Sequence, residues 1–329
     1  MMMKKLCQRL LPALACSLLA AAALPAAHAQ GYPDKPITLV VGFPPGGGVD
    51  IVARQVAESL SRQLGQQIIV DNRPGAAGNI AMDHVARAKP DGYTLLAGNL
   101  GMLAANPYLY PKQGFDAATS FAPVARLVVT PLLAAVPASQ PIQTMPQFIE
   151  YAKKNPGQTF FGSGGSGNIN HLAGELLKLQ TGAPLVHVPY KGSAPALTAL
   201  IANEVQLVID GFNVVQPQVT GGRVRPIAIT GESRSPAMPE VPTMKEAGFP
   251  GMTIYGWQGL FAPAGTPQAV IDRLSQEVKK ALAEPGLNAK LAGQGTDPSY
   301  QAPAQFRDYI AAEQQRWGKL IQTANITLQ

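Results

Sequence analysis

"ITLVVGFPPGGGVDIVARQVAESLSRQLGQQIIVDNRPG", residues 37–75, runs from an apolar stretch through a glycine turn into an amphipathic stretch, a glycine stop and a second apolar stretch. The β-branched runs "ITLVVG" and "QIIV" read as strands. Between them Val49, Val52, Ala53, Val56, Leu60 and Leu64 recur at spacings of three and four, with Arg54, Gln55, Glu58 and Arg62 on other faces. That pattern predicts a helix over 49–64 with one stripe laid on a sheet. The alternation continues through a helical stretch at 78–88 and the apolar "YTLLAG", so the chain reads as α/β with a mostly parallel sheet covered by helices.

The same order returns in "QTFFGSGGSGNINHLAGELLKLQTGAPLVHVPYKG", residues 158–192, where Gly182 stands to Leu185-Val186 as Gly65 stands to Ile68-Ile69. The helix expected over 168–180 buries Ile169, Leu172, Leu176 and Leu179 by the spacing rule. Two such units in one chain predict two similar domains. In each, the glycine turn lies at the carboxyl end of a strand and the amino end of a helix, where open α/β sheets bind ligands. Glycine leaves the N–H groups there unobstructed, and the helix dipole favours an anion or a carbonyl. Two facing turns would make a clamp.

Length and composition narrow the class. Lys4, Lys5 and Arg9 precede the apolar run "LLPALACSLLAAAALP", and Ala27-His28-Ala29 suits a signal peptidase, so 1–29 reads as a secretory signal cleaved before Gln30. The run is broken by Pro12 and Pro25 and falls short of the roughly 20 apolar residues of a spanning helix. Both cysteines, Cys7 and Cys16, lie inside it, so the mature chain has no disulfide and relies on its core. Removing the signal lowers the formal net charge from +6 to +3. Basic residues are scattered without an aromatic-basic stripe, which argues against nucleic acid. The mild positive balance suits an anionic solute.

Nucleotide and catalytic readings fare worse. Val49-Asp50 stands where a Walker loop needs Gly-Lys-Ser/Thr, and Gly46-x-Gly48 leads to Ile51 where a dinucleotide fingerprint wants Gly or Ala. Ser163 or Ser166 with His171 and Asp210 have the residue types of a hydrolytic triad, but no Gly-x-Ser-x-Gly elbow frames either serine. His171 and Glu175 are spaced i,i+4 for a metal, yet His84 and His187 add no ligand spacing and thiolates are missing. No cofactor or metal is expected.

In order along the chain, "YPDKPITLVVGFPPGGGVDIVAR", "VDNRPGAAGNIA", "PDGYTLLAGN", "FAPVARLV", "GSGGSGNINHL", "VPYKGSAPAL", "RPIAITGESRSPAMPEVPTMKEAGFPG" and "WQGLFAPAGTP" resemble the Bug-type extracytoplasmic solute receptors of tripartite tricarboxylate transporters. The resemblance covers nearly the whole mature chain. It implies a two-domain periplasmic-binding-protein clamshell of type II, the Venus flytrap, which closes on a carboxylate-bearing or amino-acid solute with help from ordered water. It also implies a monomer that delivers the solute to integral-membrane permease subunits and does no chemistry. By that resemblance the first turn supplies Phe43, Pro45, Gly46, Gly47 and Asp50, and the second Ser163, Gly164, Ser166 and Asn168. Asn99 and Asp210 also end apolar runs and are placed facing the cleft. Neither turn holds Lys or Arg, so a bound carboxylate would rest on backbone N–H groups, hydroxyls and water. Asp50 is expected to cap its helix and fix the turn, the alternative being a contact to a ligand ammonium.

"FAPVARLVVTPLLAAVPAS" is apolar enough to cross from the first domain to the second, and "MTIYGWQGLFAPAGTP" is the natural return. The expected domains are therefore 30–130 with 255–329, and 131–254, with helices 267–284 and 303–321 rejoining the first. The rivals are a secreted hydrolase using Ser166 and His171, and a ligand-sensing subunit of a signalling system.

Overall fold

Strand β1, Ile37–Val41, leads through the first glycine turn into helix α1, Gly48–Leu64, and strand β2, Ile68–Asn72, which pairs parallel with β1. The computed structural model describes residues 31–110, 113–323 and 325–327. The expected signal segment, its expected cleavage before Gln30, Cys7 and Cys16 lie outside the described residues. A short leading unit ends at Asp34, and Lys35–Gln329 form a second, compact unit.

Within that compact unit, α2 (Asn79–Ala86) and β3 (Thr94–Asn99) follow, β3 pairing parallel with β1. A π turn, Gly101–Ala105, and the short α3, Asn106–Leu109, then lead to the long strand β4, Phe121–Pro137. After α4, Met145–Lys154, the echo unit supplies β5 (Thr159–Ser163), α5 (Ile169–Thr181) and β6 (Leu185–Pro189). Next come α6 (Ser193–Ile201), β7 (Leu207–Gly211), α7 (Phe212–Thr220) and β8 (Val224–Ile229). The chain closes with β9 (Tyr255–Pro263), α8 (Gln268–Ala283), α9 (Pro285–Gly293), β10 (Asp297–Gln301) and α10 (Pro303–Thr323).

The spatial strand order is β2-β1-β3-β9-β4-β7-β5-β6, with β8 and β10 also paired to β4. Each end is a parallel βαβ unit, and the two crossing strands β4 and β9 run antiparallel to their neighbours. Strand β4 changes partner along its length: it pairs with β9 from Phe121 to Pro131, and from Leu132 onward with β7 and β8. The sheet thereby divides into two halves, each with its own helices, the two-lobed clamshell architecture expected. Helix α8 returns onto α1, with Gln63 Nε2 donating to Glu284 Oε1 at 2.7 Å just beyond its last turn.

The two units match in detail. Gly65 and Gly182 both end their helices in the left-handed conformation, at φ 65°, ψ 16° and φ 65°, ψ 14°. A side chain is strained there, so glycine is the natural stop. The following strand starts three residues later in each case.

The α1 stripe is buried as its spacing predicts. Gln55, placed on another face by that reading, is also buried, because its amide donates to Gln294 beyond α9 at 2.9 Å. In α5 the buried face departs from expectation: Leu172, Ala173 and Leu177 are inside, Ile169 and Leu176 are half-buried, and Leu179 is 51% exposed. The cause is Gly174, where a Cβ would overlap the Phe161 ring. Its missing side chain lets α5 settle on β5 and rotates Leu179 outward.

Candidate functional site

The first glycine turn is held by a polar network rooted in β2. Asp50, in the first turn of α1, accepts the Gly46 N–H at 2.9 Å, an Asn72 Nδ2 hydrogen bond at 2.9 Å and the Arg54 Nε at 3.0 Å. Asn72 also donates to the Phe43 carbonyl at 2.9 Å and accepts from Arg54 at 2.8 Å. Burial by itself raises the Asp50 pKa. The hydrogen bonds from Arg54, Gly46 and Asn72, with the Arg54 charge, outweigh it and hold the carboxyl below its ordinary 3.8. Asp50 thus fixes the turn, and Gly46, at φ +81°, makes its bend.

The second turn is tied at both ends to imidazoles. Ser163 Oγ lies 2.6 Å from His187 Nε2, and the Gly167 N–H donates to His171 Nδ1 at 3.1 Å. Asn168 Nδ2 donates to the Gly164 carbonyl at 2.8 Å, which also accepts the Gly192 N–H at 3.1 Å. A serine–imidazole pair therefore exists, but it joins Ser163 to His187 rather than to His171, and neither lines the cleft. The Ser166–His171 arrangement weighed for a hydrolase is not assembled: no hydrogen bond joins the two residues, and His171 Nδ1 accepts the Gly167 N–H instead.

Both turns converge on one cavity of about 100 Å³. Of the residues expected at the site, Phe43, Pro45, Gly47, Asn99, Asn168 and Asp210 line it. Gly46, Asp50, Ser163, Gly164 and Ser166 do not; their polar groups are largely engaged within the turns or by residues behind them, as when the Ser166 carbonyl accepts Tyr110 Oη at 3.3 Å. Sequence reasoning missed the third turn, Lys191–Ser193, and also Asn170, Asn213 and, on the crossing strands, Thr130, Trp257 and Gln258. The third turn was findable: "PYKG" ends β6 as "DNRPG" ends β2, at the carboxyl edge where ligands sit.

Four helices, α1, α5, α6 and α7, present first-turn residues to this cavity. First-turn amides have no intrahelical partner, and four positive dipole ends make the cavity attractive to an anion. Lys191 adds the one basic side chain among the described lining residues. Three lining residues also carry buried polar atoms without a hydrogen-bond partner: Asn168 Oδ1, Asp210 Oδ2 and Asn213 Nδ2. Such orphans are costly unless water or a ligand completes them.

Asp210 is the one acidic lining residue among those described. Burial pushes its carboxyl up from 3.8, against the influence of Ser193, the Gly211 N–H and Asn170. Its Oδ1 accepts the Gly211 N–H at 2.7 Å, whereas its Oδ2 has no hydrogen-bond partner. Raising this pKa lessens the repulsion an anionic guest would meet. Behind the cavity, Trp257 Nε1 donates to Glu313 Oε2 at 3.2 Å, and Trp317 donates to the same oxygen at 3.1 Å.

The two sides of the cleft approach closely at three glycines. A Cβ on Gly48 would stand 3.3 Å from Val214 Cγ2, one on Gly101 would stand 3.1 Å from the Gly167 carbonyl, and one on Gly192 would meet Pro44 at 3.5 Å. Glycine at these positions lets backbone from one half of the molecule touch the other.

Comparison with known proteins agrees with this geometry. The family model described as the tripartite tricarboxylate transporter family receptor matches residues 52–326. A UPF0065 protein of the tcbD-tcbE intergenic region of Pseudomonas sp. strain P51 is 39% identical over 293 residues, 89% of this chain and 87% of that protein. The structure of R. palustris Rpa4515 with adipate has a TM-score of 0.88 at 38% identity, covering 91% of this chain and 100% of that one. MatC from Rhodopseudomonas palustris with bound malate has a TM-score of 0.84 at 32% identity, covering 88% and 100%.

Proposed function

Since this chain belongs to the tripartite tricarboxylate transporter receptor family, we propose that it captures a small carboxylate-bearing solute in the cleft and hands it to membrane permease subunits. One observation carries the reading: three residues with orphaned polar atoms and four helix amino termini line a single cavity between the two glycine turns. The carboxylate rests on first-turn amides of α1, α5 and α6, with Lys191 at the edge. Asn168, Asp210 and Asn213 meet the rest of the solute. The protein acts in the periplasm as a monomer after loss of residues 1–29, and performs no reaction on its ligand.

Two bodies close on the solute, residues up to 130 with those from 255, and 131–254. The crossing strands β4 and β9 act as the hinge, since a few dihedrals near Pro131 and Tyr255 can absorb the motion. The test is a thermal-shift series with adipate, malate, aspartate and benzoate. A ligand at 100 times its dissociation constant adds about 2.7 kcal/mol, enough to raise the melting temperature by several degrees. No shift across the series, with ester turnover abolished by Ser166→Ala, would replace the receptor with a hydrolase.

A further inference from the structure

Two buried histidines have no place in the cavity, yet they hold the turn that forms its wall. His171 and His187 stack with ring centroids 3.9 Å apart and planes at 15°, and Phe161 stacks on His187 at 4.9 Å. His187 meets Ser163 Oγ at the start of the second turn; the same oxygen accepts the Gly165 N–H at 3.2 Å. His171 Nδ1 accepts the Gly167 N–H at its end, one residue before Asn168. Asn168 Nδ2 is anchored to the Gly164 carbonyl, its Oδ1 has no partner, and the residue lines the cavity.

We propose that His171 and His187 are a positioning pair for the second glycine turn, fixing its two ends so that Asn168 meets the solute, and that the turn keeps this shape only while both rings are neutral. The proposal rests on the receptor reading of the cleft. A proton on His171 Nδ1 removes the lone pair that Gly167 donates to and sets two N–H groups against each other. It also places a positive charge against a stacked ring, so the second imidazole resists a second proton.

The surroundings keep the rings neutral. From α5, Glu175 Oε1 stands 3.9 Å from His171 Nε2, but Glu175 is paired with Lys178 at 2.9 Å. From β6 comes His187 itself and from β5 the uncharged Phe161, and the uncharged Asn325, Ile326 and Thr327 line a second cavity together with both histidines, Glu175 and Lys178. Burial first, then the Lys178 charge, lowers His171 to about 4. Burial, His171 and Lys178 lower His187 to about 3.

The experiment follows the Gly167 amide by ¹⁵N NMR and the binding of adipate and malate by tryptophan fluorescence, from pH 7 to pH 3.5, in the native protein, His171→Asn and His171→Ala. Asparagine offers Oδ1 near the place of Nδ1 but does not titrate. In the native protein the Gly167 resonance should move with a midpoint near 4, and in His171→Asn it should stay put. Relative to His171→Asn at the same pH, which cancels titration of the ligand's own carboxyls, the native dissociation constant should rise about twofold at pH 4 and about fourfold at pH 3.5. His171→Ala should bind weakly at every pH, with His171→Asn recovering affinity over it.

A Gly167 amide indifferent to pH, or an acid limb retained in His171→Asn, overturns the proposal. If Gly167 titrates as described while neither adipate nor malate binds at any pH, the pair stands and the receptor reading loses those solutes. If both bind while Gly167 stays fixed, the reverse holds.

Discussion

Replacing Gly101 with alanine should move stability and affinity in opposite directions. Gly101 lies in the helical turn after β3 with φ outside the left-handed range, so alanine fits its backbone. Removing a helical glycine stabilises by about 0.5–1 kcal/mol, mostly through the unfolded chain, which raises the melting temperature of the ligand-free protein by about 1–3 °C. Closure suffers instead. The new Cβ stands 3.1 Å from the Gly167 carbonyl and 3.4 Å from Asn168 Cα, both backbone atoms of the opposite half, and backbone does not yield as a side chain does. Overpacking of this kind costs about 1–3 kcal/mol, and the lower end applies where a few tenths of an ångström relieve it. The closed, loaded state is then disfavoured by about 1 kcal/mol, a roughly fivefold weaker dissociation constant, and Gly101→Val should cost more. Calorimetric melting of the ligand-free protein and titration calorimetry with adipate or malate read the two effects separately. An alanine variant that binds as tightly as the native protein would show that Gly101 and Gly167 do not meet in the loaded state, and the clamp argument would fall with it.

Gly47→Val should abolish ligand-induced thermal stabilisation while the ligand-free protein still melts cooperatively, because Gly47 lines the cavity with ordinary dihedrals and its Cβ direction meets nothing closer than the Pro44 carbonyl at 3.5 Å. Glu313→Gln leaves the two tryptophan N–H donors with a weaker, neutral acceptor; urea unfolding should show a loss of about 1–3 kcal/mol and the fluorescence of Trp257 and Trp317 should shift. The lowered histidine pKa values make stability fall with acid. The unfolded chain binds the proton first, near pH 6.5, so the His171 contribution is fully present above that value and is lost as the pH drops through about 4. Urea titrations at pH 7 and pH 4 should differ by about 3 kcal/mol more in the native protein than in His171→Asn, and equal differences would refute a neutral buried imidazole.

The repeated βαβ unit was legible because its signals are local. Periodicity of three and four marks α1, β-branched runs mark β1 and β2, and a left-handed stop at Gly65 and Gly182 needs glycine whatever surrounds it. The carboxyl-edge rule pointed to the second turn that carries Asn168, and Asn99 and Asp210 end apolar runs; all three line the cavity. The apolar stretches at 121–139 and 252–267 announced the crossing strands by composition alone.

Which atoms face the cavity was settled by contacts that no local pattern encodes. Ser163 looks like a ligand hydroxyl until β6 brings His187 against it from 24 residues away, and Asp50 fixes the turn as expected only with Asn72 and Arg54, which no local pattern supplies. Lys191 joins the site through the end of β6, and Gln258 reaches the Gly48 carbonyl across 210 residues of chain. The α5 stripe turned because one glycine lets Phe161 come close. Backbone conformation follows from each residue's own sterics and its near neighbours, whereas side-chain direction depends on which distant element arrives to compete for it, and only the packed fold decides that.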